Sequence, residues 1–197
     1  MKDEWYSDNR DLIKWGGIVH LCKETNIKYV MQVAYYRETS WPQLNFNSSK
    51  VMIPEEVLSH FRDINEIKRL GEKIGLRINV EDRNFSRDDR NVYTNSICEL
   101  ISKQKLRQVV FLDPDTGIAI SNVKAAHVTP QELLLIWQSM KRSDFLVLYQ
   151  HSCRDTSWKT KRRKQLADAC KVSRNEIKQW EAKELAHDVV LFYCEKK

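Results

Sequence analysis

The stretch Gln108-Val109-Val110-Phe111-Leu112-Asp113-Pro114-Asp115-Thr116-Gly117 decides how this chain is read. Its first half is apolar on both alternations and rich in β-branched and aromatic side chains, the mark of a strand covered on both faces. The run then stops at two carboxylates flanking a proline. Pro114 has no N–H to donate and biases Asp113 towards an extended backbone. Alternate side chains of an extended segment share a side, so Asp113 and Asp115 can project together. The same residues also fit a plain turn, with Asp113 capping Asp115-Thr116-Gly117.

Outward from that strand the pattern repeats. Tyr29 to Tyr35, Leu76 to Val80, Phe145 to Tyr149 and Val189 to Tyr193 read as further strands, the last of open direction. Helices are expected between them. The first runs from Asp8 to about Thr25, with Leu12, Trp15, Val19 and Cys22 at helical spacing and Asp8 or Asn9 as cap. Others run from Pro54 through Phe61, on to Ile74 before Gly75, from Asn91 to Gln104, from Pro130 to about Met140 behind Thr129, from Trp158 to Cys170, and from Asn175 to Glu184. In the Asn91–Gln104 helix, Val92, Ile97, Leu100 and Ile101 are expected on the apolar side. Loops carry Trp41-Pro42, Asn45 to Lys50, and the charged stretch Glu81 to Arg90. Apolar strands alternating with helices point to an α/β fold: a three-layer, Rossmann-like, mostly parallel sheet with helices on both faces, in one domain over residues 1–197.

Composition bounds the function. The chain has 197 residues, 42% of them hydrophobic, with 6 Trp, 7 Tyr and 6 Phe, which excludes a wholly disordered chain. Only 5 Gly and 4 Pro exclude collagen-like and low-complexity classes. The cysteines, Cys22, Cys98, Cys153, Cys170 and Cys194, form no CxxC pair, which fits reduced thiols in a cytoplasmic protein. No apolar stretch approaches the roughly 20 residues that span a bilayer, so no membrane partner is expected. Met1-Lys2-Asp3-Glu4-Trp5 is acidic and aromatic, unlike a signal peptide. The formal charge of +6 permits a polyanionic partner. The densest basic run, Trp158-Lys159-Thr160-Lys161-Arg162-Arg163-Lys164, reads as a solvated helix face or as a phosphate-contacting surface.

Ligands of open α/β sheets bind beyond the carboxyl ends of the strands. That rule selects three segments. At Asp113 and Asp115, two adjacent carboxylates repel unless a cation or proton lies between them, and Mg²⁺ or Mn²⁺ would resolve the conflict. Tyr149-Gln150-His151-Ser152-Cys153-Arg154 follows a second strand. There Gln150 and His151 join the catalytic candidates, His151 as base, metal ligand or proton donor, and Arg154 can clamp a phosphate. Cys153 and His151 lie too close in sequence for a working dyad. Finally, Tyr6 to Trp15 places Asp8, Asp11 and Lys14 at i, i+3 spacing. Asp11 can join the carboxylates and Lys14 can neutralise phosphate, or the segment is a capped surface helix. G-x-G-x-x-G, P-loop, H-E-x-x-H and nucleophile-elbow motifs are all missing, and Val33-Ala34-Tyr35-Tyr36-Arg37-Glu38-Thr39 stands where a Gly-rich turn would lie.

The turn Asp113-Pro114-Asp115-Thr116-Gly117, with Tyr149-Gln150-His151 and the Ser7-Asp8 to Lys14-Trp15 helix, resembles an uncharacterised group of small bacterial and archaeal proteins. These carry an FLDPD-N/T-G turn, a later YQH turn and an N-terminal GD…D…K-F/W helix. More distantly, Val110 to Pro114 is similar to the catalytic turn of class I methyltransferases that modify adenine N6. Asp8-Asn9 through Lys14-Trp15 is similar to the N-terminal helix of a family that methylates large-subunit ribosomal RNA. Here Asp115 replaces the second Pro of that turn and Thr116 its aromatic. The resemblance implies a methyltransferase-like sheet, with S-adenosylmethionine as the alternative cofactor.

Three functions follow as expectations. The first is a metal-dependent phosphodiester hydrolase on nucleic acid or a nucleotide, with Asp113, Asp115, His151 and Gln150 catalytic and Asp113 and Asp115 as metal ligands. Asp11, Lys14, Arg154, Lys161, Arg162 and Arg163 would then contact substrate. The second is an S-adenosylmethionine-dependent methyltransferase-like protein acting on nucleic acid. The third is a noncatalytic module for nucleic acid or a protein partner, including a second copy of the chain.

Overall fold

A computed structural model describes residues 8–37, 43–46, 48–119 and 123–197. The extreme N-terminus, Tyr6-Ser7, Glu38-Thr39 and the Trp41-Pro42 loop, all read above, lie outside the described residues. In chain order the elements are α1 (Asn9–Thr25), β1 (Tyr29–Val33), β2 (Leu44–Phe46), β3 (Ser49–Val51), α2 (Glu55–Arg62), α3 (Ile67–Ile74), β4 (Arg77–Glu81) and α4 (Arg90–Lys103). They continue with β5 (Gln108–Leu112), β6 (Gly117–Ile118), β7 (His127–Val128), α5 (Pro130–Ser139), β8 (Phe145–His151), α6 (Trp158–Cys170), β9 (Lys178–Trp180) and β10 (Val189–Glu195).

The central sheet has six strands in the order β4-β1-β5-β8-β10-β9. β4, β1, β5 and β8 run parallel, whereas β10 is antiparallel to both its neighbours. The mixed α/β class and mostly parallel sheet are therefore present. Every residue of β5 is buried, and its side chains alternate between two apolar clusters. Val109 and Phe111 pack with Ile13, Trp15, Ile18 and Leu21 of α1 and with Ile67 of α3. Val110 and Leu112 pack with Ile97 of α4, Leu133 of α5 and Leu166 of α6. The period-two alternation of one strand thus feeds apolar clusters on opposite sides of the sheet.

Local chemistry sets the helix starts. The Asp8 carboxylate accepts the backbone N–H groups of Arg10 and Asp11, closing the first turn of α1. Thr129 and Glu132 form a reciprocal capping box on α5, with Pro130 behind the cap.

Four local expectations are corrected. Residues 175–184 form no helix: a short 3-10 turn at Arg174–Glu176 leads into β9, whose backbone pairs along the outer edge of β10. Sheet pairing here overrides helical spacing. Residues 45–50 contribute to the β2–β3 hairpin instead of a loop. Glu81 closes β4 instead of opening a surface loop. In α4 the buried stripe is Tyr93, Ile97 and Ile101, while Val92 and Leu100 are exposed. Tyr93, Ile97 and Ile101 recur every four residues, so they stack along one helix face and leave Val92 turned away.

Candidate functional site

β5 and β8 are neighbours, with Leu112 level with Leu148, so their carboxyl ends open side by side. α1 begins beside them. Between these ends lies a cavity of about 430 Å³ lined by Asp8, Arg10, Lys14, Asp113, Asp115, Thr116, Tyr149 and His151.

Its floor is a buried ion network. The Lys14 ammonium lies 3.0 Å from Asp11 and 3.0 Å from Asp113, and 4.5 Å above the Tyr149 ring. Gln32, a polar residue inside apolar β1, donates to Asp113 at 3.2 Å. Burial works against the charge on Lys14, but Asp113 and Asp11 outweigh it and hold its pKa well above the usual lysine range. Burial pushes the Tyr149 phenol up as well, so it remains a neutral hydroxyl.

A second chain of charges forms the rim. His151 Nε2 lies 3.0 Å from Asp188, and Arg10 donates to the same carboxylate oxygen at 2.6 Å and to Asp8 at 3.1 Å. Partial burial of Asp188 opposes its charge, yet the Arg10 hydrogen bond prevails and lowers its pKa. The Nδ1 of His151 is 3.1 Å from the carbonyl of Ser152. With Nδ1–H donating there, Nε2 meets Asp188 as a donor when it too carries a proton. Asp115 is held by Arg37.

These pairings decide the fit of a metal. Asp113 and Asp115 face one cavity, but a resident cation sits on each, Lys14 on one and Arg37 on the other. Among the described residues, no group of three or more His, Cys, Asp or Glu side chains is arranged to hold a metal ion. A divalent ion would have to displace both cations, so the arrangement does not fit it. The cofactor of a methyltransferase fits little better. Where the turn after β1 would cradle it, Tyr35 is fully buried at φ 47° and packs on Phe85 and Tyr93. One carboxylate does stand where Rossmann sheets hold a ribose: Glu81 at the carboxyl end of β4, tied to Arg83.

Gln150, a catalytic candidate from the sequence, has its amide engaged by the backbone. It accepts from Ile118 N–H at 2.9 Å and donates to the carbonyls of Thr116 and His151, both at 2.8 Å, fastening the 116–118 turn to β8. Gly117 makes this possible, with φ +96° and an absent Cβ that would lie 2.3 Å from Gln150 Oε1. Gly117→Ala is expected to cost about 2 kcal/mol or more. A denaturant midpoint equal to that of the wild type would show that the clamp tolerates a methyl group.

The basic run does not reach the Asp113 cavity. Arg154 is exposed and Lys161 pairs with Asp155. Lys159 and Lys164 pair with Glu181 and Asp168. Arg163 is half-buried and Arg162 is buried, so the run wraps around α6 and forms no single bare stripe. The sequence reading missed Arg10, Gln32, Arg37 and Asp188 as site residues. Gln32 was visible as a lone amide in an apolar strand. Asp188 was not, because it reaches His151 only through the reversed direction of β10, which sets Val189 opposite His151.

No protein-family model matches this chain, and no curated protein matches it either. All five cysteines are free, and no helix among the described residues is long and apolar enough to cross a membrane.

Proposed function

We propose that this chain is a phosphoester hydrolase acting on a nucleotide or nucleic acid, in which His151 and Asp188 handle the proton and Arg10 and Lys14 face the phosphate. The observation that carries this reading is the His151–Asp188 pair on the rim of a cavity also lined by two cations, Arg10 and Lys14, and three carboxylates, Asp8, Asp113 and Asp115. A water molecule attacks phosphorus and gives up its proton to solvent. The P–O bond to the leaving group breaks, and His151 Nε2–H supplies the proton that the departing oxygen needs. Arg10 and Lys14 stabilise the charge that builds on the non-bridging oxygens. No step uses a metal ion.

The same reading takes the sheet as a three-layer, Rossmann-like arrangement of methyltransferase type, with its ligand at the carboxyl edge where such sheets bind. It also takes the protein as cytoplasmic, supported by the free thiols. The test is turnover of bis(p-nitrophenyl) phosphate and of short single-stranded oligonucleotides in EDTA. Turnover that survives EDTA is the expected result. Turnover seen only with added Mg²⁺ or Mn²⁺ would return Asp113 and Asp115 to the role of metal ligands, and none under either condition would remove hydrolysis.

The Glu81 carboxylate favours a second reading, a methyltransferase-like protein acting on nucleic acid. The bulk of Tyr35 opposes it. Calorimetric titration with S-adenosylmethionine separates the two, with no heat expected even at millimolar cofactor and micromolar binding reversing the order.

A further inference from the structure

Arg162 is 5% exposed, and it is the one cation of the basic run that the fold buries. Three half-buried guanidinium groups elsewhere hold carboxylates: Arg90 bonds Glu132 at 2.6 Å, Arg10 bonds Asp188, and Arg37 bonds Asp115. Arg162 has no carboxylate partner among the described residues. Its Nη1 donates to the neutral amide of Gln165 at 2.7 Å, Nη2 reaches only the Cys153 sulfur at 4.0 Å, and Nε has no partner. A guanidinium offers five N–H donors, so most of this one's capacity is unused. A buried charge without a counter-ion is costly, which makes an anion the missing component.

The space for it is present. Arg162 lines a second cavity of about 260 Å³, with His127, Gln150, Ser152 and Cys153 among its walls, which adjoins the first at Thr116 and His151. His127 Nδ1 accepts the backbone N–H of Lys124, which leaves Nε2–H as the donor of that ring. Burial first, then Lys124, Arg162 and Arg90, lower the His127 pKa, so the local field is positive. Neutral Gln150 and Ser152 add polarity without opposing charge.

We propose that this second cavity is an oxyanion subsite that binds a phosphate group, with the Arg162 fork as its central ligand and His127 as a neutral donor. The proposal rests on the burial and the missing counter-ion of Arg162, and does not depend on hydrolysis at the Asp113 cavity. Loss of turnover there would leave it standing.

Thermal unfolding with inorganic phosphate tests it. A tenfold excess over the dissociation constant should raise Tm by roughly 3–6 °C for a chain of this size. Arg162→Met keeps the length of the side chain and removes the charge. It should abolish that rise while leaving the ligand-free Tm unchanged or higher, because the unpaired charge is gone. A wild-type measurement guards against a variant that does not fold: phosphate should slow alkylation of exposed Cys153, read by peptide mass. A nucleoside 5′-monophosphate, run against the parent nucleoside, separates the two sources of phosphate. A larger shift than inorganic phosphate gives assigns a nucleotide, and an equal shift assigns a free oxyanion. No shift with phosphate up to about 100 mM, or an equal shift in Arg162→Met, would overturn the assignment.

Discussion

Lys14→Met should lower folding stability by about 3–5 kcal/mol, the usual penalty for removing one partner from a buried ion pair. The ammonium is the shared counter-ion of Asp11 and Asp113, and all three residues are buried. Met fills nearly the same volume, so lost packing contributes little. What remains is two carboxylates beneath the cavity, with the Gln32 amide donating to Asp113 at 3.2 Å. For a chain of this length the loss corresponds to a fall of roughly 6–20 °C in Tm.

The pH dependence has a definite sign. Lys14 has a folded pKa raised above its unfolded value. Its contribution is therefore complete below the unfolded lysine range and is lost only as pH rises through the folded value. The Lys14→Met penalty should therefore be no smaller at pH 9 than at pH 6. The triple replacement Lys14→Met, Asp11→Asn and Asp113→Asn removes all three charges and should recover most of the loss. A Lys14→Met variant within 1 kcal/mol of the wild type would mean that water, and not the ammonium, solvates these carboxylates.

His151→Gln should reduce turnover of an unactivated phosphodiester by roughly 10²–10⁴-fold. Gln can still donate towards Asp188 and so keeps the rim in place, but it cannot release a proton to a leaving oxygen. The leaving group makes the test specific. p-Nitrophenolate departs without protonation, so the loss on bis(p-nitrophenyl) phosphate should be small while the loss on an oligonucleotide is large. Asp188→Asn should fall between, because it weakens the group that orients the ring at 3.0 Å without removing the imidazole. Equal losses on both substrates would assign His151 to positioning, and no loss on either would remove it from the reaction.

These two residues also mark how far the sequence could be read. β5 was legible because a run that is apolar on both alternations has no stable alternative to burial on two faces. The abrupt change to Asp113-Pro114-Asp115 located the carboxyl edge of the sheet, and hence the place where ligands bind. Lys14 was legible through its i, i+3 relation to Asp11, a local property of one helix. The helix expected over 175–184 was not, because an open edge on β10 offered backbone hydrogen bonds that outweighed local preference. Arg162 was placed correctly on a basic helix, but periodicity in a run that is nearly all cationic could not tell which cation faces inward.

By itself the sequence determined five of the six central strands, most of the helices and the carboxylate turn, since each follows from side-chain period and turn chemistry over a few neighbouring residues. Only the tertiary structure decided what those carboxylates meet. The reversed direction of β10 brings Asp188 to His151, α1 lays Lys14 against Asp113, and the turn after β1 sets Arg37 on Asp115. Each partner comes from a distant part of the chain. Charge pairing acts through space, and the distances that govern it exist only once the strands have chosen their neighbours and directions.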